Sequence, residues 1–600
     1  MGVASSLLRR DVAANTYQPL SVTNNLPQRY MHAVLTARSK SVLGTLDTPS
    51  LAAFQTDNPL PNGYPWSLMN LDTNYYNDHP RTGVIRRYDF TVSRNTIAPD
   101  GYQVDALLVN GAFPAPLMEA NWGDTIQVTV RNNISTPDEG TALHWHGFLQ
   151  TDKPWQDGVP AVTQCPIPPG KSFTYSFEAE LYGTAWYHSH YSAQSAGGLF
   201  GPIVIHGPTE KKYDIDIGPV MLTDWFHKNY NDLVEEIMQP NGNGIVFSSN
   251  NLINGKNAFD CSTVAAGDKT PCVNNAGVAK FRFQSGKTHR LRLINTGPEA
   301  LQRFSIDGHN MTVIANDFVT VKPYTTNVVT LGVGQRVDAF VKADGPRDGA
   351  YWMRANISTK CSLTNQPNAL AAVYYDEADV NKAPESTPWD VPDPGTCAND
   401  DLELTRPTMQ LRVPEPDLTY VMEAKFFRNE TGHPLWSFDR VDFRGNYNSP
   451  TLLMSHLGNY TFEKKWNVRN TKNARSVRVH PMHLHGFNMY ILHEGSGPDW
   501  DGTIIHPENP QRRDVIQLRP NGHLVMQFDA SQNPGTRAPY RVWPFHCHIA
   551  WHVSAGFFTQ FVTGADALKK MRPPSVVAET CRQWGTWTNT NIPMQIDSGL

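Results

Sequence analysis

The sequence predicts an all-β protein that contains several sandwich or barrel domains. From residue 85 onward, short runs of alternating or β-branched residues are separated by Gly, Pro and Asn, as at 86–92, 125–130, 172–177 and 202–206. Short strands at such spacing are typical of β-sandwiches and β-barrels. A chain of 600 residues is also too long for one hydrophobic core, so its length favours about three to five domains.

Three stretches of the chain resemble one another weakly and predict three domains of one kind. Each has a turn, then a strand rich in Val, Arg and Leu, then a closing Asn, at 122–132, 285–295 and 458–470. The pairs His144-x-His146 and His483-x-His485 follow the first and the third stretch. No such pair follows the second stretch, so we expect a middle domain without metal ligands.

We place the domain boundaries near residues 208 and 390. Residues 376–401 are rich in Pro, Asp, Asn and Thr, which is typical of a linker. The predicted domains are therefore 66–208, 209–390 and 391–600. Residues 1–65 lack hydrophobic periodicity and contain many Asn, Pro, Ser and Thr, so we expect a poorly ordered N-terminal extension.

Composition and charge exclude two classes of partner. The formal net charge is −5, 18% of the residues are charged and 40% are hydrophobic, and the mean hydropathy is −0.43. The sequence has no run of basic residues of the kind that predicts a face that binds nucleic acid. No apolar run is long enough to span a bilayer. We therefore expect neither nucleic acid nor a membrane as a partner.

The segment His546-Cys547-His548 with His552 is the most informative part of the chain. A cysteine thiolate with two neutral imidazoles suits a soft, redox-active metal and is typical of a blue-copper electron-transfer centre. Neighbouring side chains of an extended segment point to opposite faces. Cys547 would then face one metal site, while His546 and His548 face a second site that the same strand joins covalently to the first.

Three further His-x-His pairs supply candidate ligands for that second site. They are His144-x-His146, His188-x-His190 and His483-x-His485. With 21 histidines in 600 residues, roughly one such pair is expected by chance, whereas this chain has four. Together with His480 and His552 they make ten histidines and one cysteine. Since these residues come from the first and third predicted domains, the second metal site is expected between those domains.

The four clusters, in this order, resemble the copper-binding segments of multicopper oxidases. Other motifs extend the resemblance to ascomycete fungal laccases over residues 66–600. These motifs are Asn110-Gly111, 119–124, 164–170, 182–190 and the final Asp597-Ser598-Gly599-Leu600. The resemblance implies three cupredoxin-like Greek-key β-sandwiches and four copper ions, of which one is type 1, one is type 2 and two are type 3.

The resemblance also assigns the ligands. The type 1, or blue, site would use His480, Cys547 and His552. The axial position, ten residues beyond the cysteine, is Phe557, which cannot bind a metal, so we expect a three-coordinate site that stabilises Cu(I). His144 and His483 would bind the type 2 ion. The coupled type 3 pair would be bound by His146, His188, His190, His485, His546 and His548.

Two carboxylates are candidates for proton transfer. Asp157 matches an outer-sphere carboxylate that orients water near the type 2 ion in the family. Position 550 is Ala, where some basidiomycete relatives have Asp, and the laccase pattern implies that Asp597 takes over proton delivery. The carboxylate of Leu600 would close the solvent channel to the cluster, and we expect no removable extension beyond it.

The cysteines predict three disulfides. Cys547 is assigned to copper, which leaves six cysteines, and an even remainder fits an oxidising compartment. Short separations favour Cys261–Cys272 and Cys361–Cys397. The laccase resemblance implies Cys165–Cys581, which would tie the first domain to the C-terminal tail.

We expect a secreted glycoprotein, although no clear signal peptide is visible. The apolar run 3–8 precedes Arg9-Arg10, whereas a signal peptide has its basic residues first. Acceptor motifs for N-glycosylation occur at Asn133, Asn310, Asn356, Asn429 and Asn459. Chance alone would give about that many, so they do not decide the compartment.

The resemblance implies the activity of a laccase. Phenols or aromatic amines would each lose one electron at the blue copper, with His552 as the edge where electrons enter, and four such events would reduce O₂ to two waters. We expect a small aromatic reductant and O₂ as partners and a monomeric protein. The alternatives are another multicopper oxidase activity, as in a ferroxidase or an ascorbate oxidase, and a non-catalytic copper-binding protein.

One departure from the laccase pattern concerns the substrate. Laccases commonly have a carboxylate in the second domain that binds the phenol, and the resemblance places it near residues 275–280. That stretch contains no acidic residue, and Asp268 is the nearest one. The residue that would bind a phenol therefore stays open at this point.

Overall fold

The computed structural model describes residues 41–56, 63–470, 480–530, 541–563, 572–591, 593 and 595–600. These residues belong to one unit, Thr36–Leu600. Within this described part the chain forms 29 β-strands and four α-helices, which confirms the predicted all-β fold class. No sheet of the described part combines strands from two of the three predicted domains.

The first sandwich consists of eight strands. They are β1 (Ile85–Ile97), β2 (Val104–Val109), β3 (Met118–Asn121), β4 (Thr125–Asn132), β5 (Leu143–His146), β6 (Ser172–Glu178), β7 (Gly183–Ser189) and β8 (Phe200–His206). One sheet has the order β2-β1-β4-β6 and the other the order β3-β8-β7-β5. Buried residues alternate with partly exposed ones along β4 and β6, because one face of that sheet packs on the core.

The second sandwich consists of eleven strands and one helix. The strands are β9 (Ile215–Trp225), β10 (Asn250–Ile253), β11 (Ala279–Arg282), β12 (Thr288–Asn295), β13 (Gln302–Ile306), β14 (Met311–Asn316), β15 (Val319–Thr326), β16 (Val329–Leu331), β17 (Arg336–Lys342), β18 (Ala350–Ile357) and β19 (Asn368–Tyr374). Their sheets have the orders β10-β9-β12-β17-β14-β15 and β11-β19-β18-β13-β16. Helix α1 (Tyr230–Ile237) begins where the Asn229 side chain accepts a hydrogen bond from the Asn231 backbone N–H, as N-cap residues do.

The third sandwich contains ten strands in the described part. They are β20 (Ala424–Arg428), β21 (Pro434–Phe438), β22 (Val468–Asn470), β23 (His480–Leu484), β24 (Met489–Ser496), β25 (Gln511–Arg513), β26 (Val515–Leu518), β27 (Gly522–Gln527), β28 (Arg541–Cys547) and β29 (Phe558–Thr563). They form the sheets β22-β29-β28-β23-β26, β25-β24-β27 and the hairpin β20-β21. The helices are α2 (Thr451–His456), α3 (Ala550–Ser554) and α4 (Ser575–Thr588).

Three large hydrophobic clusters correspond to the three sandwiches. They include Trp122 and Trp145 of the first sandwich, Leu291 and Phe304 of the second, and Phe545 of the third, and the first cluster extends to Phe318 and Trp551 of the other two. The gaps between β8 and β9 and between β19 and β20 contain the boundaries expected near 208 and 390. The exact limits of the domains stay a prediction.

Part of the predicted N-terminal extension is packed against the sandwiches. The backbone N–H of Leu51 donates to the carbonyl oxygen of Asp216 at 2.8 Å, and Leu43 is buried beside Trp186 and Met221. Residues 1–40 and 57–62 of that extension lie outside the described residues. Among the helices of the described part, none combines the length and the apolar character that crossing a membrane requires.

The three predicted disulfides are present. Cys165–Cys581 joins residues 416 positions apart, Cys261–Cys272 closes a loop of 11 positions, and Cys361–Cys397 closes one of 36. Cys547 is buried and is not part of a disulfide. The long-range disulfide fixes helix α4 to the first sandwich, beside Tyr191, Tyr447 and Trp584.

We expect the Cys165→Ser/Cys581→Ser variant to lose more stability than Cys261→Ser/Cys272→Ser. The first disulfide closes a far longer loop, so it removes more entropy from the unfolded chain. Its loss should lower the free energy of unfolding by about 2–5 kcal/mol. Calorimetric unfolding of both variants measures the difference, and an equal or larger loss in the short-loop variant would contradict the prediction.

Candidate metal centre

Two pairs of antiparallel strands carry most of the predicted ligands. In the first sandwich β5 pairs with β7, and His144 lies opposite His188. In the third sandwich β23 pairs with β28, and His483 lies opposite His546. The ends of both strand pairs meet between the two sandwiches, so ligands more than 300 positions apart in the chain come into contact.

Eight histidines form one buried cluster at this meeting point. Their ring nitrogens fall into three groups in which all candidate ligand atoms lie within 4.8 Å of one another. The groups are His146 with His188 and His548, His190 with His485 and His546, and His144 with His483 and His146. Each group contains side chains from both the first and the third sandwich. The predicted type 2 pair and the predicted type 3 histidines are therefore brought together.

Hydrogen bonds fix the tautomer of several of these histidines. Four of them donate from Nδ1 to a backbone carbonyl oxygen at 2.7–3.0 Å, namely His144 to Asp157, His188 to Ser189, His483 to Asp514 and His546 to Cys547. A carbonyl oxygen can only accept, so Nδ1 carries the hydrogen and Nε2 carries a lone pair. Such a lone pair is the form of imidazole that binds a metal ion.

Several Nε2 atoms of the cluster have no hydrogen-bond donor near them. The Nε2 atoms of His144, His188, His190 and His483 are buried and have no hydrogen-bond partner among the described residues. A buried acceptor left unpaired costs about 1–3 kcal/mol, and the hydrogen bonds of His144, His188 and His483 make their Nε2 atoms three such acceptors. Burial also lowers the pKa of His546 to about 4, so its ring stays neutral near pH 7. The donor set, neutral imidazoles with bare nitrogens, fits copper ions.

Separations between individual nitrogens agree with shared ions. His485 Nε2 and His546 Nε2 are 3.0 Å apart, and His146 Nδ1 and His548 Nε2 are 3.3 Å apart. Two nitrogens at these distances can both bind one ion through bonds of about 2 Å.

Two buried aspartates orient the remaining histidines. Asp157, the predicted outer-sphere carboxylate, accepts from His485 Nδ1 at 2.9 Å, and its backbone carbonyl holds His144. Asp514 accepts from His146 Nε2 at 3.1 Å, which leaves Nδ1 of His146 for the ion. The sequence did not single out Asp514. The one available signal was a charged residue directly before the apolar run of β26.

The predicted blue-copper ligands form a separate group in the third sandwich. Ligand atoms of His480, Cys547 and His552 lie within 4.8 Å of one another, and Cys547 Sγ is 3.4 Å from His552 Nδ1. Burial raises the pKa of the Cys547 thiol well above its usual range, so a thiolate at this position requires a cation beside it. The backbone N–H of Ile549 donates to the sulfur at 3.4 Å.

Aromatic rings enclose this group. Phe557 is fully buried, and its ring centroid lies 4.9 Å from that of His480. The Trp436 ring lies 4.6 Å from His480 and 4.7 Å from His552. Phe557 therefore packs an apolar ring against this group, and its place on the axial side stays a prediction. Trp436 is a neighbour that the sequence did not indicate, because it lies more than 40 positions before the first ligand.

The C-terminal tail is buried near the histidine cluster. Asp597 accepts from Ser192 Oγ at 2.6 Å, two residues after His190, and burial raises the pKa of its carboxyl. Leu600 packs in a cluster with Phe558, whose ring stacks on His546 at 5.4 Å. The tail is thus fixed beside residues that carry or contact predicted ligands.

The sequence left open which acid of the second sandwich would bind a phenol, and the structure describes the surroundings of two of them. Asp268 accepts from the Tyr102 hydroxyl at 2.6 Å, and the end of the stretch 275–280 forms the start of β11. A different acid, Glu299, lies near the helix that carries His552, because the preceding Pro298 carbonyl accepts from the Ala550 backbone N–H at 2.9 Å. Burial raises the pKa of Glu299 to about 8.

Comparison with known proteins gives consistent matches along the chain. Family models described as multicopper oxidase match residues 91–210, 216–378 and 428–567. Laccase-2 of Botryotinia fuckeliana is 37% identical over 557 residues, which cover 89% of this chain and 92% of that protein. Oxidoreductase OpS5 of Beauveria bassiana is also 37% identical and covers 89% of this chain and 91% of its own length.

A solved structure extends the likeness to three dimensions. The crystal structure of the laccase from Botrytis aclada superimposes with a TM-score of 0.81 at 34% sequence identity. The match covers 89% of this chain and 98% of that one.

We expect Asp157→Ala to weaken copper binding by about 10–100-fold, since it removes the carboxylate that orients His485. Asp100→Ala is a matched control, because Asp100 is equally buried and accepts from His227 Nε2 at 2.8 Å, yet His227 belongs to no ligand group. Copper titration of both proteins measures the effect. Equal losses in the two variants would show that Asp157 has no specific role in orienting a ligand.

Proposed function

The chain belongs to the multicopper oxidase family and is a laccase-like oxidoreductase that carries four copper ions, and on this basis we propose a role for each residue of its site. When bound, one type 1, one type 2 and two type 3 copper ions supply one-electron oxidation of phenols or aromatic amines and four-electron reduction of O₂ to water. The grouping of ten histidines and one cysteine into buried ligand sets is the observation that carries the proposal.

The ligand assignment follows the groups of ring nitrogens. His480, Cys547 and His552 hold the type 1 ion, and His144 and His483 hold the type 2 ion. The two type 3 ions are held by His146, His188 and His548 and by His190, His485 and His546. All ten histidines predicted from the sequence have a place in these groups, which argues against a copper-binding protein that has lost the cluster.

The reductant approaches the edge of His552. In its group, His480 and Cys547 are buried, whereas His552 is partly exposed. Trp436 flanks it, and Phe426, which is 40% exposed, lies 5.3 Å from Trp436 in an edge-to-face arrangement. Aromatic rings pack favourably in edge-to-face and offset geometries, so this border suits an aromatic substrate such as a phenol.

Two carboxyl groups are assigned to proton transfer at the histidine cluster, where O₂ would be reduced. Asp597 is buried, burial raises the pKa of its carboxyl, and it accepts a hydrogen bond from Ser192, which lies two residues after His190. Asp157 Oδ2 accepts a hydrogen bond from His485 Nδ1. Its Oδ1 lies 3.3 Å from Nδ1 of His144 but accepts no hydrogen bond from the described residues. This oxygen can therefore orient a water molecule beside the cluster.

We also propose that the protein is secreted. Three disulfides fit an oxidising compartment. The acceptor asparagines Asn133, Asn310 and Asn459 are exposed, so they are available for glycosylation.

The direct test combines copper analysis with oxygen uptake. We expect close to four copper ions per chain, intense visible absorption toward the red, and one O₂ consumed for every four molecules of a phenol oxidised. Parallel rates with Fe(II) and ascorbate distinguish a laccase from a ferroxidase and an ascorbate oxidase. One copper or none per chain, or no O₂ uptake with a phenol, would refute the proposal.

We expect Phe557→Met to lower the reduction potential of the type 1 copper. A thioether at the axial position adds a ligand and removes part of the preference for Cu(I). Phe438→Met is the matched control, because Phe438 is also buried and packs on Phe557 at 4.6 Å but has no ring contact with His480 or His552 among the described residues. Redox titration of the blue absorption measures both potentials, and an unchanged potential in Phe557→Met would contradict the assignment of the axial side.

A further inference from the structure

The second sandwich contributes no predicted ligand, yet its backbone touches the histidine cluster. Gly334 lies in the turn between β16 and β17, with φ of +84°. A Cβ atom at this position would be 2.9 Å from Cδ2 of His548 and 3.1 Å from Cε1 of His146. The turn therefore lies directly on imidazoles from the first and the third sandwich, where only glycine leaves enough room.

Arg336, two residues farther on, connects this turn to a ligand histidine. Its side chain is fully buried, and Nη1 and Nη2 donate to the two carboxylate oxygens of Asp514 at 2.5 and 2.6 Å. Nε donates to the carbonyl oxygen of Thr184 at 3.1 Å. The Asp514 carboxylate accepts from His146, and its backbone carbonyl accepts from His483. One guanidinium thus holds a residue that orients two ligands.

A second ion pair keeps Arg336 in place. Asp317 accepts from the Arg336 backbone N–H at 3.0 Å. It also accepts from Nε and Nη2 of Arg513, both at 3.0 Å. Since Arg513 precedes Asp514 in the chain, two neighbouring residues of the third sandwich are each bound by a residue of the second.

The residue after His146 confirms how closely this pair is packed. A Cβ atom on Gly147 would lie 2.5 Å from Nη2 of Arg336 and 2.8 Å from Oδ2 of Asp514. Gly147 also has φ of +86°, which favours glycine. Gly147, which directly follows the pair His144-x-His146, therefore leaves space for the ion pair between Arg336 of the second sandwich and Asp514 of the third.

The geometry of the pair explains why arginine is required. A guanidinium that donates two parallel hydrogen bonds fixes the plane of a carboxylate, whereas an ammonium group acts as a point charge. With the carboxylate plane fixed, Oδ1 of Asp514 stays on Nε2 of His146. The hydrogen of that ring is then on Nε2, and the lone pair of Nδ1 points toward His548.

We propose that Arg336 is a positioning residue of the trinuclear copper site, through which the sandwich without copper ligands sets the orientation of His146. The inference rests on the proposed assignment of His146 and His483 as copper ligands. It adds that copper binding between the first and third sandwiches depends on a side chain of the second.

The test compares Arg336→Met with Arg292→Met. Arg292 is also fully buried in the second sandwich. Its Nε donates to Oδ1 and Oδ2 of Asp216 at 3.2 and 3.0 Å, its Nη2 donates to Oδ2 at 2.7 Å, and its Nη1 donates to Thr184 Oγ1 at 2.9 Å. Neither the Asp216 carboxylate nor the Thr184 hydroxyl accepts a hydrogen bond from a ligand histidine in the described part. Both substitutions leave a buried carboxylate without its arginine, so both should lower the unfolding temperature.

Only Arg336→Met should alter the trinuclear site. We expect the affinity for copper at the type 2 and type 3 positions to fall by about 10–100-fold, with changed magnetic-resonance and near-ultraviolet signals of those ions. The blue absorption of the type 1 ion, whose ligands do not contact Asp514, should persist. Arg292→Met should keep all four ions.

Arg336→Lys keeps the positive charge but loses the two parallel hydrogen bonds of the guanidinium to Asp514. It therefore provides a variant that folds if Arg336→Met does not. We expect it to bind type 2 and type 3 copper more weakly than the unmodified protein. The inference is overturned if Arg336→Lys or Arg336→Met keeps normal copper affinity and normal signals, or if Arg292→Met loses the same ions. An unmodified protein that fails to bind four copper ions would instead refute the proposed function.

Discussion

The site depends on imidazole nitrogens that are buried, carry no hydrogen and have no hydrogen-bond donor. Four clustered histidines, His144, His188, His483 and His546, each donate a ring hydrogen to a backbone carbonyl oxygen. Nε2 of the first three has no hydrogen-bond partner among the described residues. Unpaired buried acceptors are unfavourable, so bound metal ions would stabilise this arrangement. The neighbouring elements serve the same constraint. Backbone carbonyls, Asp157 and Asp514 accept the ring hydrogens.

Much of the fold and the site was predictable from the sequence, for a physical reason. Metal ligands are few residue types at close spacing, so His144-x-His146 or His546-Cys547-His548 is recognisable without knowledge of the surroundings. Strand patterns and turns likewise depend on local residues, and they indicated three sandwiches. Cys261–Cys272 could be paired from their separation alone, whereas Cys165–Cys581 required the family resemblance.

The residues that escaped prediction act across sandwiches. Asp514, Arg336 and Gly334 are an ordinary acid, base and glycine in their local sequence, and their roles arise only where three domains meet. Trp436 is similar, because its hairpin reaches the blue-copper group from outside the ligand segments. Local spacing pointed to the stretch 275–280, which contains no acid, whereas Glu299 approaches the His552 helix through the packing of a loop. Tertiary contacts of this kind have no periodic signal in the chain.

The division of ligands between sandwiches has a consequence for biosynthesis. The proposed type 1 ligands all lie between residues 480 and 552, so the third sandwich alone would complete that centre. The remaining three ions need side chains from both ends of the chain, so they can be loaded only after the sandwiches have docked. Metal binding to the docked form alone strengthens docking by mass action. Copper at this junction would therefore serve catalysis and also stabilise the docked sandwiches. Copper starvation should leave a folded precursor whose sandwiches are less tightly docked.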